Sequence, residues 1–257
     1  MSAADLFSIA GKTALITGGT RGIGRMIAEG FVEAGADVTI SSRKAEACAE
    51  VAAELSAKGS CVGLPADLST EAGCRLLAEE MASRVDRLDI LVNNAGATWG
   101  TPLAEFGESA FEKVLALNVK GVFHLTKFLV PLLEAAGTVD EPARVINIGS
   151  IDGIRVPVLE TYAYSASKAA VHQLTRHLAK RLAPRITVNA IAPGPFQSKM
   201  MAATLDAFGE QIAADAPLKR IGRPDDMAGA AIYLSSRAGA YLTGAVIPVD
   251  GGIATTL

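Results

Sequence analysis

Short apolar runs of four to six residues, separated by amphipathic stretches, recur from one end of this chain to the other. Strand-like runs lie at Thr13–Thr17, Val38–Ser42, Cys61–Leu64, Leu88–Val92, Arg144–Ile148, Ile186–Ile191 and Ala245–Val249. Helical patterns lie between them at Ile23–Ala34, Ala45–Ala57, Thr70–Val85, Phe111–Ala135 and Thr161–Leu182. Strands alternating with helices indicate βαβ units. Right-handed crossovers then place the strands in one parallel sheet with helices on both faces. Aromatic residues are only 5% of the chain, so the core is built from Ala, Val, Ile and Leu, the residues of buried parallel strands. The sequence contains no linker long enough to divide it, and Gly137–Pro142 reads as a polar loop before a strand. A single α/β domain over residues 1–257 is the expectation. Pro131 is expected to kink the long helix. After Pro193-Gly194-Pro195 the pattern loosens into short helices.

Composition removes several classes of function. At 50% hydrophobic and 20% charged residues the chain is not disordered. A net charge of -3 offers no nucleic-acid or polyanion surface. Cys48, Cys61 and Cys74 are odd in number and lack CxxC spacing. Neither a disulfide framework nor a metal site is expected, and a reducing, cytoplasmic setting is. The three His form no recognisable partner pattern with them. The segment MSAADLFSIA lacks the features of a signal peptide. No stretch reads as the roughly 20 apolar residues of a membrane span.

The first strand runs into Thr17-Gly18-Gly19-Thr20-Arg21-Gly22-Ile23-Gly24, a G-x-x-x-G-x-G turn that opens a helix. Glycine supplies positive φ there and lets a pyrophosphate approach the backbone. The helix start presents free N–H groups to an anion. At the end of the second strand, a carboxylate would bind a ribose 2′-hydroxyl. This chain has Ser42-Arg43-Lys44 instead. Two cations, with Arg21 as a third, fit a 2′-phosphate and point to NADPH/NADP+. Cations at a helix N-terminus are otherwise slightly unfavourable, so a bound anion explains them.

Tyr164 and Lys168 are four residues apart on a predicted helix and share a face. A tyrosine of ordinary pKa about 10 needs help to exchange protons near neutrality. A cation one turn away is expected to favour the phenolate and make Tyr164 a general acid toward a ketone. Ser150, leaving the fifth strand, can donate a hydrogen bond to the reacting oxygen. Tyr162 lies on the far side of the helix and reads as pocket wall or packing.

Together these motifs resemble the short-chain dehydrogenase/reductase family, over Gly11 to Gly252. The matching parts are TGGTRGIG (17–24), Asp67, NNAG (93–96), Asn118, Ser150, Tyr164-Ser165-Ala166-Ser167-Lys168 and Pro193-Gly194. The resemblance implies a Rossmann-like doubly wound domain with a seven-stranded parallel sheet, and nicotinamide-dependent interconversion of carbonyl and alcohol. It implies that Gly18, Thr20, Arg21, Gly22, Ile23 and Gly24 hold the cofactor phosphates. It sets Asp67 and Leu68 beside the adenine and makes Asn93, Asn94, Ala95 and Gly96 the wall of the cofactor pocket. Thr17 lies below the turn, and Val119 lines the cleft. Pro193 and Gly194 lead into a segment over the nicotinamide, where Ser198 is the candidate for its carboxamide. Lys168 also holds the nicotinamide ribose, and Asn118 holds a water joining Lys168 to solvent.

Within the family the texture is that of 3-oxoacyl-thioester reductases. ARVINIGS (143–150), YAYSASKAAVHQLTRHLAKRL (162–182) and IAPGPFQSKM (191–200) resemble the β-ketoacyl reductase type linked to rhamnolipid synthesis. A small carbonyl substrate, carried as an acyl thioester, is implied. A lid at about 195–217, with Phe196, Met200, Met201, Leu205, Phe208 and Ile212, suits an acyl chain. Lys199, Lys219 and Arg220 are candidates for meeting a phosphopantetheine carrier. A polyol, sugar or small-ketone dehydrogenase, or a cofactor-binding regulator without activity, uses the same fold. The two long apolar helices correspond to those that pair across subunits in the family, implying a homotetramer or homodimer.

Overall fold

The computed structural model describes residues 2–198 and 200–256. Its elements run α1 (Ala3–Phe7), β1 (Thr13–Thr17), α2 (Gly22–Glu33), β2 (Asp37–Ser42), α3 (Ala45–Ser56), β3 (Cys61–Pro65), α4 (Glu71–Ala82) and β4 (Ile90–Asn93). They continue with α5 (Glu108–Leu115), α6 (Val122–Ala136), β5 (Ala143–Ile148), α7 (Tyr162–Leu182), β6 (Ile186–Pro193), α8 (Ala202–Asp215), α9 (Pro224–Ser235), β7 (Val246–Val249) and α10 (Ile253–Thr256). The strands form one sheet in the order β3-β2-β1-β4-β5-β6-β7, every pair parallel. The expected doubly wound α/β architecture is therefore present. The order reverses between β1 and β4, and ligands of such sheets bind outside the strand ends at that point.

Alternation along each strand divides the core in two, because successive side chains point to opposite faces. Ile16, Ile40, Val92 and Ile146 pack under α2, α3 and α9 with Ile27, Phe31, Leu55 and Met227. Leu15, Leu91, Val145 and Val188 pack on the other face under α4, α6 and α7 with Leu77, Leu125, Leu129 and Ala179. The Thr138–Pro142 loop is bound back to the sheet, since Glu141 pairs with Lys12 and with the buried Arg144.

Three local features differ from expectation. The fourth strand begins at Ile90, because the N–H of Leu88 is taken by the carbonyl of Leu132. The long helix is interrupted by a π turn at Ala116–Gly121, well before Pro131, which sits inside α6. By length and hydropathy the continuous run Glu108–Ala136 would also suffice to cross a membrane. Here Leu125, Leu129 and Leu133 are buried against the sheet, so its apolar face covers the core.

A polar ladder crosses the middle of the molecule. Asn93 Nδ2 donates to Thr126 Oγ1 at 3.0 Å and to Asn147 Oδ1 at 2.9 Å. Asn147 Nδ2 donates in turn to Thr175 Oγ1 at 2.9 Å. The ladder joins α6, β4, β5 and α7 with no exposed member. Asn93 is thus a strut between strands, and it also lines a small pocket with Thr17, Leu68 and Ala95. Removing one member leaves buried donors without acceptors, at about 1–3 kcal/mol each. Asn147→Leu is accordingly expected to lower unfolding stability by about 2–4 kcal/mol, read as a fall in the urea midpoint at unchanged slope.

Candidate active site

The turn after β1 is shaped by what a Cβ would strike. Gly18 has φ 65°, which favours glycine. A Cβ on Gly24 would collide with the Gly18 carbonyl and the Asn94 amide, so the start of α2 is drawn tightly against the strand ends. Thr17 ties the turn to β4: its Oγ1 accepts the N–H groups of Asn94 and Ala95 at 2.9 and 3.0 Å. Asn94 Nδ2 donates to the carbonyls of Thr17 and Gly18 at 2.8 and 3.2 Å. Thr17 and Asn94 therefore fasten the glycine turn across the point where strand order reverses.

The residues around this turn suit a phosphorylated dinucleotide. Arg21, the N-cap of α2, gives no side-chain bond to the first turn, which also lacks an acidic residue. Its N–H groups remain available to an anion. Lys44 leaves α3 equally uncapped. Among the described residues Arg21, Arg43 and Lys44 have no carboxylate partner, unlike Arg25, Lys58 and Arg84 nearby on the surface. Ser42 bonds locally, with Oγ 3.2 Å from Cys48 Sγ. Asp67 Oδ1 accepts from the hydroxyl and N–H of Ser69, which hold its carboxyl below the usual range; Arg43 lies close enough to add to the effect. Leu68 is buried beside it. Ser198 comes down over the turn, its Cβ 3.2 Å from where a Cβ of Gly22 would stand.

A second cluster gathers at the ends of β5 and α7. Tyr164, half-buried, and Lys168, buried, share one face of α7, with Lys168 Nζ 5.4 Å from the Tyr164 ring centroid. Lys168 is only 5% exposed and donates to the carbonyl of Ile148 at 2.7 Å. Burial pushes its pKa down to about 8, against the charge of Asp152. Tyr164 is pushed up to about 12, chiefly by burial, with a hydrogen bond from Ser150 opposing and Asp152 reinforcing the rise. This corrects the expectation that Lys168 lowers the tyrosine's pKa. Desolvation of the phenolate is the largest influence on Tyr164 and outweighs the bond from Ser150. Tyr164 accordingly holds its proton.

Ser150 Oγ accepts the N–H of Asp152 at 3.1 Å, which leaves its own proton to be donated toward Tyr164 or a bound oxygen. Asn118 lies in the π turn, fully buried. Its Oδ1 accepts from the Ala97 N–H at 2.8 Å, and its Nδ2 donates to the Ala97 carbonyl and to Ser167 Oγ, both at 2.9 Å. The amide thus clamps the segment following Gly96 to α7, and both protons of its Nδ2 are used in doing so. Val119 adjoins it in the same turn. Tyr162 begins α7, turned away, and donates to Glu160 at 2.6 Å.

Some sequence expectations need revision, and some contributors were not foreseen. Phe196 is buried at 2% against Gly222 and joins the core, so it supports the lid from below and does not line it. Pro193 and Gly194 close β6, with the Gly194 N–H donating to Val249. Met200 and Phe208 are exposed, Leu205 and Ile212 partly so. Arg220 is held by both oxygens of Asp226, and Lys219 donates to the Ala214 carbonyl. Arg220 is thus already paired, while Lys219 is exposed and has no carboxylate partner among the described residues. Lys199 lies outside the described residues. A cavity of about 400 Å³ opens between Phe196, Leu218, Gly222 and Asp250, and no member of the Asn118–Ser150–Tyr164–Lys168 set lines it. His172, one turn beyond Lys168, is buried beside Gly149 and Gly153 and bonds the Gly153 main chain; burial and Lys168 hold it neutral, its pKa down to about 4. It braces the Ser150 loop. Its i+4 spacing from Lys168 was the available signal.

Comparison with known proteins agrees with this geometry. A family model described as Enoyl-(Acyl carrier protein) reductase matches residues 18–254. The chain is 54% identical over 250 residues to the rhamnolipids biosynthesis 3-oxoacyl-[acyl-carrier-protein] reductase of Pseudomonas aeruginosa, covering 96% of this chain and 97% of that protein. It is similar to the structure of the Pseudomonas aeruginosa RhlG/NADP active-site complex, with a TM-score of 0.94 and 52% identity, covering 97% and 99% of the two chains. It is also similar to a gluconate 5-dehydrogenase from Burkholderia cenocepacia in complex with NADP and tartrate, with a TM-score of 0.92, 33% identity and full coverage of both chains. The fold, the glycine turn and these relatives together establish that the chain belongs to the short-chain dehydrogenase/reductase family.

Proposed function

We propose that this protein is an NADPH-dependent reductase that converts a 3-oxoacyl thioester to the 3-hydroxyacyl product. The observation that carries the reading is the convergence of Ser150, Tyr164 and Lys168 at the ends of β5 and α7, in a chain 54% identical to a 3-oxoacyl reductase. The gluconate dehydrogenase relative keeps a polyol reaction as the alternative, at 33% identity. Although the family model's description names an enoyl reductase, two hydroxyl donors converging on one point suit a carbonyl oxygen better than a carbon–carbon double bond.

In this reading Gly18, Thr20, Gly22, Ile23 and Gly24 hold the diphosphate, and Arg21, Ser42, Arg43 and Lys44 hold the 2′-phosphate. Asp67 and Leu68 meet the adenine end. Asn94, Ala95 and Gly96 form the floor, and Pro193, Gly194 and Ser198 reach the nicotinamide end. Bound there, NADPH supplies the hydride for the carbonyl carbon. Ser150 Oγ, with one lone pair occupied by the Asp152 N–H, donates to the substrate oxygen and fixes its position. Tyr164 Oη transfers its proton to that oxygen as it becomes basic, and burial ensures that the proton is present beforehand. Lys168, one turn from Tyr164 and bonded to the Ile148 carbonyl, holds the nicotinamide ribose in this reading. Asn118 positions Lys168 and Tyr164 by holding Ser167 between them.

We read residues 1–257 as one domain, acting in the cytoplasm as a homotetramer or homodimer, without nucleic-acid or membrane partners. Three free cysteines, and the apolar Phe111 and Phe123 exposed on α5 and α6, support that setting.

Tyr164→Phe is expected to lower kcat at least about a hundredfold, the usual size of a lost acid catalyst, with NADPH still quenching protein fluorescence. Tyr162→Phe is expected to change kcat less than about twofold, since its hydroxyl meets only Glu160. Arg43→Ala should raise KM for NADPH about tenfold or more and leave KM for NADH nearly unchanged, the loss of one charge-assisted phosphate contact. Steady-state kinetics with a series of 3-oxoacyl thioesters tests the substrate. KM should fall about fourfold per added methylene until the pocket is full, at about 0.8 kcal/mol each. A flat series, or faster reduction of a 2-enoyl thioester or oxidation of a polyol, overturns it.

A further inference from the structure

The loop after β5 carries a charged group for which the mechanism has no use. Asp152 follows Ser150 by two residues, and its main-chain N–H is the donor to Ser150 Oγ. Its carbonyl accepts from Ser165 Oγ at 3.2 Å, which anchors it to the first turn of α7 beside Tyr164. Both of these bonds are main-chain, and any residue at 152 would make them. The carboxylate itself is half-buried, and among the described residues it has no hydrogen-bond or ion-pair partner.

Arg155 and Lys168 lie close enough for their charges to act on the carboxylate, but neither forms an ion pair with it. Arg155 donates to the Ile253 carbonyl at 3.4 Å, and Lys168 donates to the Ile148 carbonyl at 2.7 Å. His172, on the same face of α7, is neutral. Burial raises the Asp152 carboxyl above its ordinary value, and its charge in turn is felt at both Tyr164 and Lys168. An unpaired, partly desolvated carboxylate is unfavourable for folding. Its place next to the proton donors puts its effect in the substrate cleft.

We propose that Asp152 sets the charge selectivity of this cleft: it admits a 3-oxoacyl group as a neutral thioester or ester and turns away the free 3-oxo acid. The inference rests on the carbonyl-reductase reading above. With the 3-oxygen between Ser150 Oγ and Tyr164 Oη, carbon 1 lies only two bonds from the reacting carbon. In a thioester that carbon is neutral. In the free acid it carries a carboxylate, which the Ser150 loop would hold against Asp152. Like charges in a space poor in water repel far more than in bulk solvent. Rejection by repulsion is a recognised route to specificity.

The test uses two substrates with one carbon skeleton, 3-oxobutanoate and its N-acetylcysteamine thioester. The quantity read is the ratio of kcat/KM, thioester over anion. Asp152→Asn and Asp152→Ala are both expected to lower that ratio about tenfold, equivalent to about one pKa unit of charge interaction. Asp152→Glu, which keeps the charge, should leave the ratio nearer that of the wild type. A ratio unchanged within about twofold in both neutral variants overturns the inference, as does an equal loss on both substrates. Failure of the wild type to reduce the thioester, with NADPH bound, instead defeats the reductase reading and this inference with it.

Discussion

Lys168 is an ammonium group withdrawn almost wholly from water, and much of the surrounding structure answers that condition. A buried cation needs acceptors, and the Ile148 carbonyl at the end of β5 supplies one. Reaching it requires the first turns of α7 to lie flat against the strand ends. Ser167, clamped by Asn118 from the π turn, holds that turn from one side. His172 and the glycines flanking Ser150 pack it from the other, where the bulk of a Cβ at Gly149 or Gly153 would displace the imidazole. The proton-donating hydroxyls converge because the lysine beneath them has so few places to sit.

Charge is distributed unevenly along the cleft. Three cations without carboxylate partners stand at the β2 end, where a phosphate is expected. At the β5 end, where the carbonyl is expected, the Asp152 carboxylate stands near Lys168 and Arg155 without an ion pair to either. The cations at the β2 end would draw the polyanionic tail of a ligand there before any close contact forms. The overall net charge of -3 conceals this polarity.

Features visible in the sequence were those that local geometry decides. The glycine turn is legible because few residues tolerate φ 65° at Gly18 or the close approach at Gly24. The Tyr164–Lys168 pair is legible because helical spacing alone puts both on one face. What escaped depended on partners remote in sequence. Asn93 belongs to the NNAG motif, yet Thr126 and Asn147 claim its side chain. Phe196 has the hydropathy of a lid residue, but Gly222 leaves a slot for its ring. Arg220 resembles a free cation until Asp226 is placed opposite it. The π turn has no marker in the local pattern, which is equally apolar before and after it. The direction of the Tyr164 shift likewise depends on burial, which helical spacing does not report.

The strand order also bears on when the site can come into being as the chain folds. β1 and β4 are adjacent in the sheet, but Ile16 and Val92 are separated by most of the first third of the molecule. Parallel pairings of this kind require long loops to close before any contact rewards them, so they form slowly. β1, β2 and β3 can associate first, giving a half-sheet that displays the glycine turn without its Thr17–Asn94 fastening. The proton donors arrive only after β5, α7 and β6 have docked. Refolding should therefore regain the dinucleotide end of the cleft ahead of the carbonyl end, with enzymatic competence among the last properties to return.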